Sequence, residues 1–189
     1  SESPGLVRKT RDWTRGSIAA VPIGQEVSVN ALQVTVAYAA VANGGYLMRP
    51  RIVRGIQDRG QTVRIFAPKI VRRALSAQTA QKLKRMLAGV VEHGTGKAAR
   101  LRGYSSAGKT GTAQQIDPVT RTYSKERFVA SFVGFVPVEH PRIVIFVSID
   151  HPKTNTYGGV VAAPVFREIA ERTLRCLRIP PSRKPQIQA

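Results

Sequence analysis

The chain has 189 residues, 42% of them hydrophobic and 6% aromatic, which suits one domain, or a large piece of one, with a real core and excludes a disordered chain. Its formal charge is +19, from 30 Lys and Arg against 11 Asp and Glu, so the surface favours anionic partners. No apolar run approaches the roughly 18 residues a membrane-spanning helix needs, and the single cysteine, Cys176, excludes an internal disulfide. Cys176 falls in an apolar helical stretch and is expected to be a buried packing residue.

In chain order, Ser1 to Arg15 is polar and irregular. The first expected helix is Val27 to Ala42, with Ser28 or Asn30 as its N-cap. Leu32, Val34, Val36, Ala39, Ala40 and Val41 make it apolar nearly all round, which implies burial. Asn43-Gly44-Gly45 stops it, because glycine accepts the left-handed conformation there. Arg51–Gly55 and Thr62–Phe66 alternate around Asp58-Arg59-Gly60 and read as a short peripheral hairpin. Ser76 then caps a helix running to about Glu92, with Leu83, Met86, Leu87, Val90 and Val91 as its expected buried stripe.

Two strands follow, Val129–Val136 and Arg142–Ile149. The second is close to continuously apolar, as a strand covered on both faces would be. Pro137–Pro141 is a turn of hairpin length, so the two should be antiparallel neighbours. A last helix, Ala163–Leu177, places Pro164 in its first turn, with Val165, Ile169, Leu174 and Leu177 on its core side. Pro180–Ala189 is Pro-rich and reads as a flexible tail after a domain ending near residue 179. The pattern is α+β, an antiparallel β-sheet covered by helices.

The richest stretch is Gly103–Gln114, which spells three motifs around Lys109. As a phosphate loop, Gly103–Thr110 lacks the buried strand before it and the helix after it. As a serine–lysine pair, Ser106 and Lys109 are separated by Gly108 in non-helical surroundings, where an i, i+3 pair shares no face. Ser28-Val29-Asn30 spells another serine motif, but a helix cap explains it. The third spelling is Lys109-Thr110-Gly111 followed by Thr112, a pattern of serine acyltransferases inhibited by penicillin. On an edge strand lining a cleft, Lys109 supplies positive charge to a carboxylate and Thr110 donates to it. Gly111 leaves room for a substrate against the strand. The amide of Thr112 can serve as one oxyanion donor.

The context of that trio is specific. Ser3–Leu6 through Trp13, Ile23–Val29, Ala37–Gly45, Gly94–Gly96, Ala107–Gln114, Ala130–Pro137, Ile149–Pro152, Tyr157–Gly159 and Ala163–Phe166 occur in that order. Over residues 3 to 181 the chain resembles the class B penicillin-binding proteins, in particular the D,D-transpeptidases of cell division and sporulation. The resemblance implies the C-terminal portion of a penicillin-binding transpeptidase (β-lactamase-like) fold. It implies cross-linking of peptidoglycan stem peptides through an acylated serine, with β-lactams as mimics of the donor. The family's nucleophilic serine motif and its S-x-N motif lie upstream of the segment present, so the serine would come from outside it. The alternative is a structural half-domain without activity of its own.

By the same resemblance, Lys109 and Thr112 are the catalytic residues. Lys109, Thr110, Gly111, Thr112, Tyr123, Phe128 and Tyr157 are the substrate-binding ones, the three aromatics lying on loops that line the cleft. No metal-ligand spacing exists among His93, His140 and His151, and no cofactor is implied. Expected partners are peptidoglycan stem peptides, β-lactams, the upstream half of the same domain, a membrane glycan polymerase and other division proteins. Nucleic acid is not expected. The implied location is the outer face of the bacterial cytoplasmic membrane, with an N-terminal anchor outside this chain.

Overall fold

A computed structural model describes residues 3–117 and 120–182. The N-terminal part begins with a short pair, β1 (Leu6–Val7) against β2 (Val27–Ser28), with the single-turn helix α1 (Ser17–Ala20) between them. Helix α2 runs over Ala31–Ala42, four residues later than the expected start, because Asn30 makes a complete capping box. Its Oδ1 accepts from Gln33 N at 2.8 Å, and Gln33 Oε1 accepts from Asn30 N at 3.0 Å. Gln33 also holds the N-terminal segment by donating to Pro4 O at 2.9 Å. Burial of α2 is one-sided rather than complete: Ala40 and Ala42 are buried while Leu32 is exposed.

β3 (Tyr46–Met48) pairs with β6 (Ile70–Arg73), and between them lies the hairpin β4 (Gly55–Asp58) and β5 (Gln61–Ile65), whose first strand begins where the expected Arg51–Gly55 strand ends. Its two-residue loop, Arg59-Gly60, has positive φ at both positions (48° and 80°), the geometry that matches the twist of paired strands. Every residue of both hairpin strands is exposed, as expected for a peripheral element.

Helix α3 (Ala77–Glu92) starts at Ser76, whose hydroxyl accepts from Thr79 N at 3.0 Å. Its expected stripe is corrected at one position: Met86 is exposed, whereas Val91 is buried and Leu87 packs on the sheet.

The centre is a three-stranded antiparallel sheet in the order β7 (Ala107–Ile116), β8 (Tyr123–Val136) and β9 (Ile143–Asp150). Side chains alternate across it, giving two apolar layers. Ala107, Phe135 and Val144 face α2 and α3, against Tyr38, Val41, Leu87 and Ala88. Phe132, Val136 and Val147 face helix α4 (Gly158–Cys176) and the 3-10 turn Lys97–Ala99. Strand β9 is thus covered on both sides, which explains its apolar run.

Helix α4 departs from expectation in three ways. It starts at Gly158, so Pro164 lies in its interior and not in its first turn. Its buried face is Ala162, Ala163, Phe166, Ala170 and Leu174, whereas Val165, Ile169 and Leu177 are exposed. Cys176 is exposed, not buried, because two residues beyond Leu174 is about 200° round the helix. The physical reason is close approach. Small side chains let α4 lie directly on β8, where Phe166 meets Phe132 with ring centroids 4.8 Å apart.

After α4 the chain is held through Ser182. Tyr104 Oη donates to Ile179 O at 2.7 Å, and Ser105 N donates to Ser182 Oγ at 3.4 Å. The rest of the expected tail, from residue 183 onward, lies outside the described residues.

Candidate functional site

Strand β7 pairs with β8 alone, so its other side is an open edge among the described residues. The register sets Lys109 opposite Val133, Thr110 opposite Phe132, Gly111 opposite Ser131 and Thr112 opposite Ala130. Lys109 and Gly111 therefore share the α2–α3 side of the sheet, and Thr110 and Thr112 share the α4 side. The long lysine side chain folds back over the strand edge. Its Nζ donates to Thr110 O at 3.0 Å and lies 3.3 Å from Thr110 Oγ1. No carboxylate pairs with this ammonium among the described residues.

That contact fixes a backbone direction. Thr110 O, reached by the lysine, points to the open edge. Within a strand the N–H and C=O of one residue share a side, and residues two apart repeat it. The N–H of Thr112 is consequently directed to the same edge, beside Lys109 and Thr110. Its hydroxyl is anchored below, accepting from Gly158 N at 3.3 Å.

Gly111 has a structural reason beside the expected one. A Cβ there would lie 2.4 Å from Ser131 Oγ, so the glycine accommodates a serine hydroxyl on the neighbouring strand. Below the same spot, a Cβ on Gly158 would sit 2.2 Å from Ser131 O and 2.5 Å from Gly111 O. The first turn of α4 is thus pressed against the sheet where the Lys-Thr-Gly trio lies.

The aromatic candidates separate. Tyr157 is the N-cap residue of α4, exposed, and next to the glycine that holds Thr112. Tyr123 and Phe128 lie in strand β8 and not on loops as expected; Phe128 pairs with Gln114, five residues past Lys109, or about 17 Å along the strand from the lysine. Tyr123 pairs near Ile116, seven residues past Lys109, which puts it about 24 Å along the strand from the lysine. The structure therefore brings Lys109, Thr110, Thr112 and Tyr157 into one neighbourhood, with Phe128 and then Tyr123 farther along the same strand pair.

Ser106 is 3% exposed, and its hydroxyl donates to Ala99 O at 2.9 Å. Along extended chain it points to the side opposite Lys109, so the apparent serine–lysine pair is a coincidence of spelling. The phosphate-loop spelling fails as well, since Lys109 and Thr110 lie inside a strand. Asn30 is a helix cap, as read from the sequence. One residue at the site was missed. Thr95 Oγ1 lies 3.0 Å from Thr110 Oγ1 across fifteen residues of sequence; its only signal was its place between Gly94 and Gly96.

Residues 1–171 match the family model described as penicillin binding protein transpeptidase domain. The chain belongs to that family. It is 38% identical to the penicillin-binding protein PbpB of Mycobacterium tuberculosis, over 97% of this chain and 28% of that protein. It is 37% identical to the stage V sporulation protein D of Bacillus subtilis, over 90% of this chain and 26% of that protein. Among solved structures, penicillin-binding protein 3 of M. tuberculosis, complexed with ampicillin, superposes with a TM-score of 0.85 at 38% identity, covering 98% of this chain and 43% of that one. The apo transpeptidase domain of Burkholderia pseudomallei penicillin-binding protein 3 gives 0.81 at 37% identity, covering 96% and 53%. The chain thus spans between about a quarter and a half of the length of these relatives. The penicillin-binding transpeptidase fold read from the sequence, α+β with an antiparallel sheet covered by helices, is the fold observed.

Proposed function

We propose that residues 107–112 are the carboxylate- and oxyanion-binding strand of a serine-type peptidoglycan D,D-transpeptidase whose nucleophilic serine lies outside these 189 residues. One observation carries the proposal. Lys109 and Thr110 form a hydrogen-bonded pair at the open edge of β7, with the Thr112 amide directed to the same edge. Burial of Ser106 supports a nucleophile from elsewhere.

The chemistry follows from those groups. The serine oxygen attacks the penultimate D-Ala carbonyl of a stem peptide, and the carbonyl oxygen takes on negative charge. The serine's own amide and the Thr112 amide donate to that oxygen; each such donor contributes about 3–4 kcal/mol in the transition state. The C–N bond breaks and the terminal D-Ala leaves as an amine carrying the proton the serine gave up; the amine of a second stem then attacks the ester, forming the new amide and returning a proton to the serine oxygen. Lys109 and Thr110 hold the terminal carboxylate. Thr112 can add its hydroxyl, because accepting from Gly158 leaves its hydrogen free. Tyr157 flanks the acyl donor, with Phe128 and then Tyr123 farther along β8 as its other aromatic contacts. A β-lactam presents its own carboxylate to the same pair. Nothing in the scheme calls for a cofactor.

Stem peptides place the reaction at the outer face of the bacterial cytoplasmic membrane. A glycan polymerase and other division proteins would be neighbours there.

The test is covalent labelling by a fluorescent penicillin, on this chain alone and on the full-length protein. Label on the full-length protein only is the expected result. Label on this chain alone would place a nucleophile within it and overturn the assignment. In the full-length protein, Lys109→Ala should slow acylation by tenfold or more, on the order of one charge-assisted hydrogen bond or above. The thermal transition should be unchanged; an unchanged acylation rate would remove the carboxylate role.

A further inference from the structure

Thr95 occupies the tip of the connection between α3 and the 3-10 turn Lys97–Ala99, and that connection is fixed from several directions. The N–H groups on either side of Thr95, those of Gly94 and Gly96, both donate to Val90 O at 3.0 Å. The Arg100 guanidinium spans the loop's base, donating through Nε to Val91 O at 3.2 Å and through Nη2 to Glu92 O. From below, a Cβ on Gly159 would lie 2.4 Å from Thr95 O and 3.4 Å from the Thr110 methyl. A Cβ on Gly94 would lie 2.9 Å from Val90 O, and one on Gly96 would lie 3.2 Å from the Phe132 ring. Helix α3, the sheet and the first turn of α4 therefore converge on one residue. What they deliver is its hydroxyl, 3.0 Å from that of Thr110.

The hydrogen inventory at Thr110 Oγ1 gives this contact a consequence. A threonine hydroxyl has one hydrogen and two lone pairs. Lys109 carries only hydrogens, so its contact at 3.3 Å uses one lone pair. If Thr110 donates to Thr95, no hydrogen remains for a ligand. If Thr95 donates to Thr110, both lone pairs are filled and the Thr110 hydrogen is turned away from Lys109 and Thr95 alike. A carboxylate arriving at the edge accepts that hydrogen, and the bond to a charged acceptor makes the second assignment the stable one.

We propose that Thr95 is a positioning residue for the carboxylate subsite, donating to Thr110 Oγ1 so that the Thr110 hydrogen is reserved for the ligand's carboxylate. This rests on the function proposed for the strand. It adds that the subsite includes a third side chain from outside the Lys-Thr-Gly trio, acting only through Thr110.

The test is a double-mutant cycle in the full-length protein, read as the rate of acylation by benzylpenicillin over a range of concentrations. Thr95→Val keeps the shape and removes the hydroxyl. It should lower the second-order acylation constant about five- to tenfold. The loss should sit in the half-saturating concentration, with the limiting rate unchanged, since the carboxylate is held equally before and during attack. Thr95→Ser should remain within about twofold of wild type. In a Thr110→Val background, Thr95→Val should cause no further loss. An equal loss in that background would mean that Thr95 acts through the fold, and would overturn the proposal. So would wild-type rates for Thr95→Val where Thr110→Val is impaired. Should Thr95→Val lose its thermal transition, Thr95→Ala runs the same cycle with the same readings. Wild-type rates for both Lys109→Ala and Thr110→Val would instead overturn the role of the strand, and this inference with it.

Discussion

Strands β4–β5 and strands β7–β8 are both antiparallel pairs of one small chain, yet they are held by different means. In β4–β5 every residue is exposed, and a two-residue turn sets the register. Along β7–β8 the register is enforced from both faces, by Phe135 against α2 and α3 and by Phe132 against α4. The first pair relies on local backbone geometry and the second on exclusion of space. Substitutions should therefore be felt through the turn residues in one pair and through atomic volume in the other.

Gly158→Ala presses hardest on that contrast. The added methyl would meet Ser131 O and Gly111 O, backbone atoms on two strands. The expected loss is above about 4 kcal/mol, a size reserved for a few mechanisms, forced overpacking among them. Denaturant unfolding reads it; a loss below about 1 kcal/mol would mean that α4 can slide on the sheet. Phe166→Ala should cost about 3–5 kcal/mol by leaving a cavity against Phe132. Val63→Ala in β5 should stay within about 0.5 kcal/mol by the same measurement. A large effect there would mean that the hairpin is packed against something in solution.

The smallest effect concerns Tyr38 on α2, whose phenol pKa is raised above 10.0 by burial. The unfolded chain ionises this group first. Its contribution to stability is therefore complete below about pH 10 and is lost as pH rises through the folded value. Tyr38→Phe should lack that part of the alkaline decline, visible in unfolding midpoints at about pH 9 and pH 11.

The same contrast divides what the sequence disclosed. Periodicity and turn chemistry exposed the outer hairpin, the capped helices and the apolar strand β9, because those signals are local. Lys109, Thr110 and Thr112 were legible because their side chains follow from strand alternation and motif order. The buried face of α4 was not. Large aliphatic residues were assigned to the core, whereas Ala162, Ala163 and Ala170 take it because only small side chains let the helix lie so close. Exposed Val165, Ile169 and Cys176 follow from the same misplacement. Thr95 was illegible for another reason: a contact between two hydroxyls fifteen residues apart leaves no periodic trace.

The sheet and its backing helix come from one unbroken run, with β7, β8, β9 and α4 in sequence order and each strand beside the next. Such an arrangement asks for little long-range search, and its contacts can form quickly once their residues are present. During synthesis, however, the chain emerges from its N-terminal end. Lys109 leaves the ribosome well before Gly158, the residue whose amide meets Thr112. The strand edge gains its support from α4 only after the roughly fifty residues between Lys109 and Gly158 have also been made. Its assembly is thus timed by the emergence of α4, and nascent chains halted before that helix should carry β7 without the geometry described above.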